Sequence, residues 1–275
     1  MKIYDRKLAY PYFVWMTLFT VVPLIIVVYY ALTDSDGNFT LNNLLSISGY
    51  GSVFARSLLL ALIATVICLI IAFPVGYFLS RLRVNKQHIM LMLVMLPMWM
   101  NFLLRTYAWM GLLSINGPVN AVLGFFGLGP YTMLNTSGAV VLGMVYNFLP
   151  FMILQVNTSL CKMDKSLLEA SADLGANRFQ TFWRVTFPLS LSGVISGITL
   201  VFLPAVSSFF IPKLLGGGQF FLIGNVIENQ FITVGEWNFG SAISMIMAVV
   251  MMLCMFLIRR VDERNSGRGR RRRRA

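Results

Sequence analysis

The sequence predicts an all-α integral membrane protein with six transmembrane helices. Hydrophobic side chains make up 57% of the 275 residues, charged ones make up 12%, and the mean hydropathy is +0.75. A soluble globular domain carries roughly a quarter of its residues as charged side chains. The chain also contains six stretches of about 20 apolar residues, the length that a helix needs to cross the hydrocarbon core of a bilayer. Together these observations exclude an ordinary soluble domain.

The six predicted spans are separated by short polar segments. The first span follows three cationic residues, but its apolar run is too long for a signal-peptide core and lacks a small-residue cleavage pattern, so we interpret it as a retained helix. The predicted spans cover residues 9–32, 53–80, 89–113, 138–160, 191–211 and 241–258.

The distribution of positive charge predicts the orientation of these spans. When the loops are assigned to alternate sides, 19 of the 22 Lys and Arg residues fall on one side, which has a net charge of +13, whereas the other side has a net charge of −1. Cationic loops favour the cytoplasmic side. Both termini are therefore predicted to be cytoplasmic, with a short N-terminus (1–8), a six-helix domain (9–258) and an Arg-rich tail (259–275).

The tail and the few metal-ligating residues exclude other classes of protein. We interpret the tail as an orientation signal that lies on anionic lipid headgroups; no nucleic-acid partner is predicted, because no aromatic side chains interleave with the arginines as a stacking platform. The three cysteines form no CxxC pair, and His88 is the only histidine, so neither a disulfide framework nor a Cys or His metal site is predicted.

Proline and small residues within the spans indicate bent and closely packed helices. Proline removes a backbone donor, so a membrane helix bends or breaks where neighbouring groups satisfy the freed carbonyl. Gly193 and Gly197, four residues apart in the fifth span, form a small face that permits close contact with another helix. The interior prolines of the first five spans are Pro23, Pro74, Pro97, Pro150 and Pro204.

The cytoplasmic loop 161–190 is predicted to fold as two short helices. Asp164 is a good cap for a helix that starts at Lys165 and ends at Gly175, a residue suited to the left-handed conformation. Asn177 is the cap of a second helix, which places Phe179, Phe182 and Trp183 on one apolar face. Such a face requires a membrane surface or a partner protein to cover it.

The same loop resembles the EAA signature of the membrane subunits of bacterial ABC importers. The matching run is Glu169-Ala170-Ser171, three residues, Gly175, nine residues, and Val185-Thr186-Phe187-Pro188. Ser171, Val185 and Phe187 differ from the usual Ala, Ile and Leu. The resemblance implies a type I (MetI-like) importer permease fold, a bacterial plasma-membrane location and a coupling helix seated on a separate ATPase subunit. The residues that it assigns to this coupling are Glu169, Ala170, Ser171, Asp173, Gly175 and Pro188.

The chain itself lacks the motif that a motor subunit needs. Its glycine run Gly216-Gly217-Gly218 continues with Gln219 instead of the lysine and hydroxyl residue of a phosphate-binding loop. No nucleophile and base pair is evident either. We therefore expect a transport subunit that is not an enzyme and binds no cofactor, with ATP bound by the partner.

A narrower resemblance predicts the substrate. Residues 214–244, together with the cytoplasmic loop, resemble the PotB-type permeases of spermidine/putrescine importers. This implies three partners: a PotD-like extracytoplasmic polyamine-binding protein, a second, PotC-like permease, and PotA-like ATPase subunits. Two alternatives stay open, namely an importer of another small solute, such as an amino acid, an anion or a metal complex, and a channel or carrier that works without ATP.

Candidate residues for the substrate path combine carboxylates, amides and aromatic rings. Arg105 and Trp109 share a helical face with Asn101, and we expect the Arg105 side chain to extend to the outer interface beside Trp109. Asn147 lies three residues before Pro150 and either lines the path or bridges the proline break. Each acidic candidate has the alternative interpretation of a solvated loop charge. The candidates are Trp99, Asn101, Tyr107, Asn147, Glu228, Glu236 and Trp237.

Overall fold

The computed structural model describes residues 4–34, 36–164, 166–218 and 220–272, and within these ranges the side chains of residues 10–262. The regular structure in these ranges is helical, apart from one isolated antiparallel bridge between Thr33 and Phe39. Lys165, Gln219 and the last arginines of the tail, Arg273 and Arg274, lie outside the described residues. The predicted all-α class is confirmed.

Five helices are long and apolar enough to span a membrane, and a bent pair of helices supplies a sixth. The observed bounds of the first and fourth spans agree with the predicted ones to within two residues. The same holds for the second span when it is counted from the start of its long helix, Gly51–Ser80. The sixth helix starts at Trp237 and continues to Arg272, through the predicted start of the tail. The five spans are Tyr10–Ala31, Asn42–Ser80, Ser137–Cys161, Arg178–Ser207 and Trp237–Asp262.

The third span is broken, as predicted for a helix that Pro97 bends or breaks, and it extends beyond the predicted bounds of 89–113. Val84–Trp99 and Phe102–Phe125 meet at an angle of 87°. Proline at position 97 has no amide proton, the helix tightens into a 3₁₀ turn over Leu96–Trp99, and Met100 is extended. Asn101 then caps the next helix, because its Oδ1 accepts a hydrogen bond from the Leu103 amide at 2.8 Å.

The fifth span also differs from its predicted bounds of 191–211. It starts at Arg178, passes through a π-helical turn over Phe182–Thr186, and continues as Phe187–Ser207. Pro188 falls in the first turn of the second part. Ser208 is extended, so Ile211 belongs to a separate short helix, Phe210–Leu215.

The connection between the fifth and sixth spans folds back into the helix bundle. It contains Phe210–Leu215, Ile223–Asn229 and a π-helical turn over Gln230–Val234. Leu215 and Leu222 are fully buried, and the Ile223 amide donates to Ser57 Oγ of the second span at 2.9 Å. This segment therefore closes the end of the bundle that is predicted to face outward.

The second, fourth and fifth spans form the centre of the bundle. The fifth approaches the fourth closely where Gly193 faces Gln155 and Ser159, and where Gly197 faces Met152. The first span, by contrast, is 0% buried over its apolar window and packs along the sixth. The chain thus has a packed centre and a first span whose apolar side chains its own residues leave largely exposed.

We predict that Gly193→Ala destabilises the protein. The added methyl group would collide with Ser159 Cβ and lie 2.8 Å from the Gln155 carbonyl oxygen. Overpacking of this kind costs about 1–3 kcal/mol, measurable as a lower thermal midpoint in detergent. Gly111→Ala is the control, because nothing lies within 4 Å of its Cβ position. Equal midpoints for the two variants would contradict this contact between the fourth and fifth spans.

Candidate functional site

A short helix over Ser166–Asp173 follows the fourth span at the end that the charge distribution predicts to be cytoplasmic. Asp164 Oδ1 accepts a hydrogen bond from the Ser166 amide at 3.0 Å, as the predicted cap requires. Hydrogen bonds from the Ser166 backbone and side chain lower the pKa of Asp164 below its ordinary value. The predicted helix is confirmed, and its predicted first residue, Lys165, lies outside the described residues.

Gly175 ends this helix in the left-handed conformation, with φ at +78°. The Gly175 amide donates to the Ala172 carbonyl at 2.9 Å, and the Ala176 amide donates to the Ser171 carbonyl at 3.1 Å. No atom lies within 4 Å of a Cβ built at this position. Glycine is therefore favoured here by backbone conformation and not by lack of space.

The next helix is joined to the first through side chains. Asn177 and Gln180 form a reciprocal capping box, which confirms the predicted cap. The hydroxyl groups of Ser171 and Thr181 lie 2.9 Å apart, and Ser171 is 9% exposed. The two short helices therefore form one hairpin, which we call the cytoplasmic hairpin (Ser166–Thr181).

The aromatic residues after Asn177 lie next to one another, as their predicted shared face requires, but they differ in burial. The Trp183 ring centroid lies 6.3 Å from that of Phe179 and 5.4 Å from that of Phe182. The Phe182 ring packs against Phe73 of the second span at 5.3 Å between centroids. Phe179 and Trp183 stay 71% and 51% exposed. The π-helical turn begins at Phe182 and shifts the helical register at this point.

The exposed surface of the hairpin consists largely of small and apolar residues. A cavity of about 400 Å³ lies between the hairpin and the start of the fifth span, and Leu174 at its edge is 88% exposed. Glu169 and Asp173 are also exposed on the same helix. An exposed apolar patch with a charged edge is typical of a protein-docking surface. The cavity is lined by Leu167, Ala170, Ser171, Leu174, Gly175, Ala176, Gln180, Arg184 and Val185.

A second cavity, of about 540 Å³, lies at the opposite end of the bundle. The end of the first span, the first outer loop and the start of the sixth span form its walls. Its lining includes two carboxylates and three aromatic rings. We call it the outer cavity, because the charge distribution predicts this end of the bundle to face outward. Its lining residues are Tyr30, Asp34, Asn43, Gly235, Glu236, Trp237, Asn238 and Phe239.

A family model described as "binding-protein-dependent transport system inner membrane component" matches residues 4–267. The chain belongs to this family. It is 39% identical over 261 residues to the spermidine/putrescine transport system permease protein PotB of Haemophilus influenzae, with 91% of each chain covered. It is 39% identical over 253 residues to PotB of Escherichia coli K12, covering 88% of this chain and 92% of the relative. The E. coli inner membrane ABC transporter permease protein YdcU is 32% identical over 223 residues, covering 76% of this chain and 71% of the relative.

Solved structures agree on the fold of this inner-membrane component. A chain of a bacterial ABC transporter involved in alginate import superimposes with a TM-score of 0.77, at 16% identity and 94% coverage of both chains. The MetNI methionine ABC transporter gives a TM-score of 0.59, at 16% identity, covering 77% of this chain and 94% of that chain. The predicted type I importer permease fold is confirmed.

The predicted path residues of this transport component do not meet at one place. Trp99 and Asn101 flank the break in the third span, and Trp99 is 81% exposed. Tyr107 is 49% exposed. Glu228 forms an ion pair with Lys213, whereas Glu236 and Trp237 line the outer cavity.

Asn147 does not bridge the proline break. Its Nδ2 donates to the Gly143 carbonyl at 2.9 Å, whereas Pro150 frees the carbonyl one turn earlier, at Tyr146. The Asn147 Oδ1 is buried without a hydrogen-bond partner.

The expectation that the Arg105 side chain extends to the outer interface is wrong. The residue is 7% exposed, and its Nε and Nη1 are buried without a hydrogen-bond partner, so the side chain does not extend to the outer interface. Trp109 instead packs edge-on against Tyr146 of the fourth span. Sequence periodicity placed Arg105 on a membrane helix but gave no information on the break at Met100, which redirects that helix.

Sequence reasoning missed a polar network at the cytoplasmic ends of three spans. Gln87 Nε2 donates to Asn157 Oδ1 at 2.9 Å, and Asn157 Nδ2 donates to the Gly76 carbonyl at 3.1 Å. The network ties the second, third and fourth spans together directly above the cytoplasmic hairpin. The available signal was an amide in an otherwise apolar span, at Asn157.

In the described part of the chain, no group of three or more His, Cys, Asp or Glu side chains is placed to hold a metal ion.

We predict that Arg105→Met raises the thermal midpoint of the detergent-solubilised protein by about 2–4 °C. Methionine keeps apolar volume while removing a buried guanidinium whose Nε and Nη1 have no partner. Arg105→Lys is the control, since it keeps the charge but changes the shape of the side chain, and we expect its midpoint to lie below that of the unmodified protein. If methionine lowers the midpoint as much as lysine, the guanidinium has a stabilising partner and the interpretation is wrong.

Proposed function

We propose that this chain is the membrane-spanning permease subunit of an ATP-driven importer that translocates polyamines. The observation that carries the proposal is the 39% identity to spermidine/putrescine permeases over about nine-tenths of both chains in the H. influenzae relative. The exposed cytoplasmic hairpin, which bears the importer signature, supports it independently.

The cytoplasmic hairpin is the proposed contact with the ATPase subunits, which by the same likeness are PotA-like. Glu169 and Asp173 place carboxylates at the edge of the contact, and Ala170 and Ser171 keep its centre small. Gly175 forms the turn and Pro188 starts the second part of the fifth span. Charges at the edge of an interface orient a partner, whereas the apolar centre supplies most of the affinity.

The contacts of the hairpin explain how force would reach the membrane. The hydroxyl contact between Ser171 and Thr181 joins its helices, and Phe182 joins the second helix to Phe73 of the second span. Closure of an ATP-bound ATPase dimer would therefore displace the hairpin and the fifth span largely as one rigid unit. Alternation between inward-open and outward-open packings follows from that displacement.

The remaining proposed partners are a second, PotC-like permease and a PotD-like polyamine-binding protein on the outer side. The uncovered first span offers an apolar surface to lipid or to the second permease. With both termini cytoplasmic, the outer cavity faces the compartment in which a binding protein delivers its substrate. The bound ATP and its hydrolysis belong to the ATPase subunits.

Reconstitution tests this function directly. The chain is co-purified with the subunits encoded beside it, placed in proteoliposomes with ATP inside, and supplied with binding protein and radiolabelled spermidine or putrescine. The proposal requires uptake that depends on both ATP and the binding protein. Uptake by the chain without an ATPase would instead support a carrier. Calorimetry of the binding protein with polyamines, amino acids and anions distinguishes the polyamine importer from one for another solute.

We predict that Gly175→Val reduces ATP-dependent uptake and ATPase co-purification, whereas Gly175→Asn largely preserves both. A β-branched residue at φ +78° costs about 1–2 kcal/mol, and asparagine tolerates this conformation. The space around position 175 is open, so the two variants differ in backbone preference more than in fit. Full uptake by Gly175→Val would show that the hairpin geometry does not matter for coupling.

A further inference from the structure

The outer cavity has the chemistry of an organic-cation site. Its lining brings Asp34 and Glu236 together with the rings of Tyr30, Trp237 and Phe239. Carboxylates form charge-assisted hydrogen bonds with ammonium groups, and aromatic faces attract cations at close range. None of the lining residues is a lysine or an arginine, so no cationic side chain stands in the wall of the cavity beside Glu236.

The outer cavity differs in this respect from Glu228, another acidic residue on its side of the bundle. Glu228 is 16% exposed at its side chain and forms an ion pair with Lys213. No side chain in the described part of the chain pairs with the Glu236 carboxylate, and Glu236 is exposed. A cation in the outer cavity therefore meets a carboxylate that no side chain in the described part of the chain neutralises.

The walls of the outer cavity are held in place by the chain itself. Asn238 Nδ2 donates to the Thr33 carbonyl at 2.6 Å, and Asn43 Nδ2 donates to the same carbonyl at 3.0 Å. These two bonds fix the end of the first span against the first outer loop and the start of the sixth span. A preformed site loses less conformational entropy on binding than one that must be ordered by its ligand.

Two of the aromatic rings that line the outer cavity also pack against other rings of the chain. The Trp237 ring packs edge-on against Phe231 at 5.5 Å, and the Phe239 ring lies 5.6 Å from Tyr50. Trp237 is nevertheless 57% exposed, so part of its surface stays available to a ligand. A volume of about 540 Å³ is within the usual range for small-molecule sites.

We propose that the outer cavity binds a primary ammonium group of a polyamine at the outer face, before the substrate enters the path between the spans. This inference rests on the proposed function and adds to it a receiving site made of Asp34, Glu236 and Trp237. A lysine of the binding protein carries the same ammonium chemistry. The experiment therefore measures free polyamine and docking of the binding protein separately.

The first measurement is direct binding of radiolabelled spermidine to the complete complex in nanodiscs, without binding protein. Glu236→Gln removes the charge at nearly constant shape and is expected to weaken binding about tenfold. Trp237→Leu keeps an apolar side chain, removes the aromatic face, and is expected to weaken binding in the same direction. Asp36→Asn is the matched control, since Asp36 lies in the same outer loop as Asp34 but does not line the outer cavity.

The second measurement is the affinity of the binding protein for the same complexes by surface plasmon resonance. Weaker spermidine binding by Glu236→Gln with unchanged docking supports the proposal. Unchanged spermidine binding overturns it, and unchanged spermidine binding with weaker docking assigns the outer cavity to a lysine of the binding protein. An equal loss in Asp36→Asn overturns a specific site in favour of general surface charge. Failure of the proposed function is separate, because it would appear as no ATP-dependent spermidine uptake by the unmodified complex.

Discussion

The absence of water from the hydrocarbon core is the constraint on which this structure depends. Every backbone donor and acceptor there needs a partner within the protein, so the chain crosses as helices and each interruption requires a substitute. At the break in the third span, the Asn101 side chain caps the new helix. At the break after the fifth span, Asn225 Nδ2 donates to the Phe209 carbonyl at 2.7 Å. Side-chain amides thus permit non-helical backbone where the bundle turns.

The same constraint explains how the cytoplasmic hairpin is connected to the bundle. Small residues such as Gly193 bring the fifth span against the fourth, and the Ser159 hydroxyl contacts the Ser190 carbonyl at 3.4 Å across this interface. The Gln87 and Asn157 amides fasten the neighbouring spans just above the hairpin. Close packing and side-chain hydrogen bonds therefore hold together the part of the bundle next to the cytoplasmic hairpin.

Much of this architecture was predictable from local signals. Apolar length identified the first, second and fourth spans, and Asp164, Gly175 and Asn177 marked the hairpin because capping and left-handed turns depend on one or two residues. Pro97 was predicted to bend or break the third span, but which of the prolines breaks its helix was not predictable, since Pro74 and Pro150 lie in continuous helices although their local sequence is equally apolar. Burial of Arg105 and the grouping of Asp34 with Trp237 depend on contacts between distant segments. No periodicity within one span carries that information.

The π-helical turn over Phe182–Thr186 has a geometric consequence for the segment that precedes it. A π-turn accommodates one residue more than an α-turn, and one residue corresponds to about 100° of rotation around a helix axis. The turn therefore sets the direction, around the axis of the fifth span, in which the preceding cytoplasmic hairpin projects. Removing a single residue there would leave the helices on both sides intact. It would, however, rotate Leu174 and Glu169 by about a quarter of a turn around the axis of the fifth span, away from the surface that they now face.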